Sequence, residues 1–220
     1  MGVAVVLVGA VVGGAAVGQD AAGLGVALAV AAAWGLAKGL DRFRREGASG
    51  VPRALTRPDG GWLRMLGRGA AWGIGLQILS TAAVEPLLTA LTGEAADLGA
   101  FASLNGDAGA LLSMLLVTWG LVVWIEECLF RAVLIPAFTT ALGARIVPRT
   151  RVVWVAVVLA AVGFALAHVY QGATGVGATG VAGAVLGVLF VREGGRLWAG
   201  AVAHGVANTL ALVALYAGWG

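Results

Sequence analysis

The sequence predicts an all-α polytopic membrane protein, a bundle of about seven (six to eight) transmembrane helices around an intramembrane polar cavity. Composition says so first. Of the 220 residues, 60% are hydrophobic and 11% charged, against about 25% charged in an average soluble protein. The mean hydropathy is +0.95, and several apolar runs reach the roughly 20 residues a helix needs to cross a bilayer. The 36 glycines suit helices that pack through small residues.

Taken in order, the first span covers residues 2–17, with Gly9/Gly13 and Gly14/Gly18 as small-residue pairs. With no basic residue before this run, it reads as a retained span and not a signal peptide. A break at Gln19-Asp20 leads to a second span over 22–37. The hydrophilic loop 38–63 then carries Lys38, Arg42, Arg44, Arg45, Arg53 and Arg57, and Arg64 and Arg68 extend the basic zone. Span three runs over 65–91 with Glu85-Pro86 near its far end. The loop after it holds Glu94, Asp97 and Asp107 and no basic residue.

Span four contains Glu126-Glu127. Span five covers 152–170 after a basic turn at 145–151. Span six covers 175–191, where Gly175, Thr179, Gly183 and Gly187 form a ridge at intervals of four that calls for a closely packed partner helix. Span seven covers 197–217. The whole chain, 1–220, reads as one integral-membrane domain.

The sequence pI is about 9.8, but the arginines sit in loops beside apolar spans. That is the pattern of membrane orientation, not of nucleic-acid binding. It places the N-terminus and the 38–64 loop in the cytoplasm, and the excess of alanine, glycine and valine suits a prokaryotic cytoplasmic membrane. Cys128, the one cysteine, forms no intrachain disulfide and reads as a small apolar residue. Trp34, Trp62, Trp198 and Trp219 fall at span ends as interfacial anchors, whereas Trp119, Trp124 and Trp154 read as packing residues within spans.

Chemistry concentrates in 124–131, where two carboxylates and an arginine interrupt an apolar run. An ionised side chain at membrane depth costs roughly 2.5–3.5 kcal/mol on insertion scales and persists where it has a task. Glu127 and Arg131 are four apart with the acid first, the favoured ion-pair order on a helix. Glu126 points about 100° away and has no such partner, which leaves it available for chemistry. The chain's two histidines, His168 and His204, both fall in expected spans. Phe164 precedes His168 by four and Asn208 follows His204 by four, so each pair shares a helix face. For Glu126 to meet both histidines, span four must be long, about 113–140, with Glu126 near mid-membrane and a bend near Pro136.

Glu126-Glu127 with Arg131 matches EExxxR, Phe164 with His168 matches FxxxH, and His204 with Asn208 matches HxxxN. In this order, on separate spans over 112–212, they resemble the CPBP family of intramembrane proteases, which includes the type II CAAX prenyl endopeptidases and the abortive-infection proteins. The resemblance implies peptide-bond hydrolysis within the membrane on a membrane-associated peptide or protein; prenylation of that substrate is not implied. It implies that Glu126 activates water with help from His168, that His204 and Asn208 stabilise the oxyanion, and that Glu127 and Arg131 hold the geometry. Phe164 is expected to line the cavity.

No cofactor is expected. Zinc on Glu126, His168 and His204 is the alternative, since two imidazoles and a carboxylate form a catalytic zinc set. It is disfavoured by the lack of HExxH and by the asparagine beside His204. The rival classes are a non-catalytic membrane protein of the same fold (an immunity factor, chaperone or scaffold) and a transporter using Glu126 and His168 as a proton relay, the latter weakened by the lack of an inverted repeat.

Overall fold

The computed structural model describes residues 54–58, 60–142 and 149–219. Spans one and two, most of the basic loop, Trp34 and the turn at Arg145 lie outside the described residues. Within them the chain is helical, with no strand. Five helices carry the architecture: α1 (Trp62–Thr92), α2 (Ala108–Leu142), α3 (Arg149–Leu166), α4 (Gly172–Arg192) and α5 (Trp198–Tyr216). Four segments are long and apolar enough to span a bilayer: α1, α2, α4 with its preceding turn, and α5; α3 contributes a shorter apolar helix, Arg151–Leu166. The protein is therefore a polytopic helical membrane protein.

Local sequence explains the helix ends. Gly93, at φ 80, terminates α1 in the left-handed conformation that glycine adopts without strain. Asp107 starts α2 by accepting the Ala110 N–H at 2.9 Å. Glu94 accepts the Ala173 N–H at 3.3 Å at the start of α4, where a carboxylate meets the positive end of the helix dipole. Both internal prolines follow widened turns. Ser80–Val84 is π-helical ahead of Pro86, and Glu127–Leu134 is π-helical ahead of Pro136. Near Pro136, where a bend is expected, the structure has π-helical turns, which accommodate the missing N–H and the clash of the ring with the preceding turn.

Without water to drive association, membrane helices pack through close backbone approach. α1 lies parallel to α5: a methyl at Gly69 would sit 2.9 Å from the Ala199 carbonyl oxygen, and one at Gly73 2.5 Å from that of Ala203. α3 lies antiparallel to α4, where a methyl at Gly183 would sit 3.2 Å from Ala161 Cα, and one at Gly187 2.8 Å from Val157 Cγ1. The small-residue ridge on α4 thus has the partner helix that its spacing required.

Depth follows from this packing. α2 is a single 35-residue helix with Glu126 near its middle, as the long span four required. α3 ends earlier than the expected span over 152–170. It ends at Leu166, with Ala165 opposite Gly180, well inside α4. Consequently His168 occupies a turn within the bundle and not a helical span, followed by a short 3-10 turn over Val169–Gln171. The tryptophans divide as well. Trp62 and Trp198 begin helices and Trp124 packs on Trp198 with ring centroids 5.3 Å apart. Trp154, expected to be a packing residue, is 45% exposed on the outside of α3.

Replacing Gly73 by Val forces α1 from α5 and is expected to destabilise the protein by roughly 1–3 kcal/mol, as overpacking does. Gly75→Leu, at a position with nothing within 4 Å, is expected to stay within about 0.5 kcal/mol of wild type. Thermal unfolding in detergent measures both, and equal losses would contradict the α1–α5 packing.

Candidate active site

Span four delivers the two carboxylates to opposite environments. Glu127 and Arg131 are one turn apart inside the bundle, with side chains 0% and 1% exposed and Nη1 of Arg131 3.3 Å from Oε1 of Glu127. Arg131 also donates through Nη2 to the Gly183 carbonyl at 3.4 Å, and its guanidinium carbon lies 4.6 Å from the centroid of Phe164. Glu126, one residue earlier, is turned toward a more open space and keeps 22% of its side chain exposed.

α5 brings His204 between the two acids. Its Nδ1 lies 3.0 Å from Glu127 Oε1, where an ionised carboxylate can only accept, so Nδ1–H donates. Its Nε2 lies 3.4 Å from Glu126 Oε2. Spacing alone had paired Glu127 with Arg131 and His204 with Asn208. The geometry instead makes Glu127 the shared partner of Arg131 and His204. Asn208 is half-buried one turn beyond His204 and forms no hydrogen bond among the described residues, so its amide is not engaged by the imidazole.

His168 is oriented from its own segment. Its Nδ1 lies 2.8 Å from the Phe164 carbonyl oxygen. A carbonyl cannot donate, so Nδ1 carries the proton and Nε2 bears the lone pair in the neutral ring. Phe164 joins the pieces: its ring centroid is 4.7 Å from that of His168, 5.9 Å from that of His204 and 5.1 Å from that of Phe130. Phe164 itself is only 3% exposed. It packs among Arg131 and the two histidines.

Two further residues escaped the motif reading. Gly200, one turn before His204, faces Glu127: a methyl there would lie 3.0 Å from Oε2, the oxygen with no hydrogen-bond partner among the described residues. Its spacing of four from His204 was the available signal. Tyr170 places its ring centroid 6.0 Å from that of His168 and accepts a hydrogen bond from Gln171 Nε2 at 3.1 Å.

Zinc can be tested against this arrangement. Among the described residues no three of His, Cys, Asp and Glu are grouped so as to hold a metal ion. Glu126 and His204 approach each other, but among the described residues His168 does not complete a three-ligand set with them. The donor set does not fit.

Fold and site together define a polytopic membrane protein with a carboxylate–histidine site buried at membrane depth. Residues 108–210 match the family model described as type II CAAX prenyl endopeptidase Rce1-like, in line with the resemblance carried by the three motifs. No curated protein and no solved structure matches the chain.

Removing one member of the buried pair strands the other. Arg131→Met is expected to cost roughly 3–5 kcal/mol, and Glu127→Gln/Arg131→Met distinctly less. Detergent melting midpoints of the single and double variants check this; a single variant as stable as wild type would contradict a desolvated pair.

Proposed function

We propose that the protein is an intramembrane endopeptidase that hydrolyses a peptide bond of a membrane-associated peptide or protein, with 1–220 as one integral-membrane domain and 112–212 as its catalytic core. The observation that supports this most directly is the pairing of a partly exposed carboxylate, Glu126, with a histidine held by a buried one. Both lie in the middle of the bundle, in a stretch that matches a protease family.

In this reading Glu126 takes a proton from a water molecule whose oxygen attacks the scissile carbonyl carbon. His168 assists through the lone pair on Nε2. The carbonyl electrons move onto oxygen, and the resulting oxyanion meets donors on α5. His204, when its ring carries both protons, donates from Nδ1 to Glu127 and from Nε2 to the oxyanion, and Asn208 adds an amide N–H. Collapse of the intermediate breaks the C–N bond, and the proton held by Glu126 passes to the leaving amine. Glu127 and Arg131 hold His204 in position, while Phe164 supports both imidazoles. Low polarity around the site strengthens every one of these interactions. The basic end of the bundle faces the cytoplasm by the positive-inside rule.

The test is cleavage of a library of membrane-anchored peptides by the purified protein in liposomes. Glu126→Gln is expected to lower the rate by about 10²–10⁴-fold as loss of a general base does, and Asn208→Ala by about 10²–10³-fold as loss of an oxyanion donor does. A strong chelator is expected to leave the rate unchanged. Chelator loss with zinc rescue would replace water activation by Glu126 alone with a metal mechanism. Cleavage that survives Glu126→Gln would overturn the assignment of the base, and no cleavage across the library would favour a non-catalytic role.

A further inference from the structure

Away from the catalytic residues, the basic end of the bundle holds an apolar groove between α1 and α4. Its volume is about 410 Å³ and it is lined by Ala71, Trp72, Gly75, Leu76, Leu79 and Val185. The groove exists because Ala71 and Gly75, one turn apart on α1, leave room that larger side chains would fill; a methyl at Gly75 would meet nothing within 4 Å. Its mouth is cationic. The Arg192 guanidinium carbon lies 5.8 Å from the centroid of Trp72, within cation–π range. Arg192 is exposed and forms no ion pair among the described residues. Arg68, one turn before Trp72, is paired with Glu193 at 3.2 Å, and Arg64 is exposed one turn before that.

We propose that this groove binds one anionic phospholipid, with an acyl chain lying along Ala71, Gly75 and Val185 and the phosphate at Arg192. Two observations select that occupant. The lining offers hydrocarbon and one indole, so a chain without hydrogen-bonding groups fits it. The cations gather at one end only, which matches an amphiphile with a negative head over an apolar tail. Trp72 holds Arg192 at the rim, where a headgroup would sit.

Native mass spectrometry of the full chain, released from detergent containing phosphatidylglycerol or phosphatidylcholine, tests the site. Wild type is expected to retain one phosphatidylglycerol with about tenfold preference over phosphatidylcholine, the scale that one or two arginines at an anionic surface supply. Gly75→Leu fills the groove and is expected to abolish retention of both lipids, with an unchanged melting midpoint showing that the fold is intact. Arg192→Gln, at the surface, is expected to keep retention and lose the headgroup preference. Equal retention of the two lipids by wild type, no retention at all, or a preference that survives Arg192→Gln would each overturn the proposal.

Discussion

A single carboxylate, Glu127, holds two other groups of the site in register. Buried at 0% exposure, it faces Arg131 from its own helix and His204 from α5 through the same oxygen. In a medium of low dielectric such a group is tolerable only while its partners stay in place, because removal of either leaves an uncompensated charge. The interaction therefore does more than neutralise. It fixes which imidazole nitrogen points away from Glu127, and so directs Nε2 of His204 toward Glu126, the carboxylate that keeps some exposure. Arg131 extends the same constraint to α4 through the Gly183 carbonyl and to α3 through the ring of Phe164.

These contacts require close backbone approach, which the glycines provide. Gly200 leaves room for Glu127 Oε2 beside α5, and Gly183 lets Phe164 and Ala161 reach α4. α3 ends early, within the bundle, so that the turn after it presents His168 from the level of Ala165 and Gly180. Shortness is useful here: a helix continued to Tyr170 would have committed the His168 backbone to helical geometry and given up the turn on which it sits.

Much of this was legible in the residues. Hydropathy and run length gave the helical membrane class and the limits of α1, α4 and α5 to within a few residues, and the length of α2 followed from the depth at which Glu126 must meet the histidines. Intervals of four gave the Glu127–Arg131 pair and the packing ridge on α4, since both depend on one helix's own periodicity, but not that α3 is the ridge's partner. What could not be read were contacts between distant helices and interruptions without a polar signal. His204 and Glu127 are 77 residues apart, and no spacing rule connects them. The end of α3 lies in a run, Ala165 to Val169, whose only polar member is His168 itself, so hydropathy carried the helix past its true end. The spacing of four put Phe164 on one face with His168, but its contacts with Arg131 and His204 come from other helices and no spacing rule supplies them. Trp154 was read as packing because it lies within a span, yet in a membrane the outward face of a helix is as apolar as its core.

The contact on which the arrangement turns is the hydrogen bond from His204 to Glu127, and the chain's two histidines make it directly observable. Nitrogen-15 labelling of histidine in the reconstituted protein, read by solid-state NMR, yields two ring systems. The account predicts that His204 carries a proton on Nδ1, shifted downfield by its carboxylate partner, and that Glu127→Gln removes this shift while the Nδ1 proton of His168 is unaffected. A His204 ring without a proton on Nδ1, or one whose signals ignore Glu127→Gln, would contradict it.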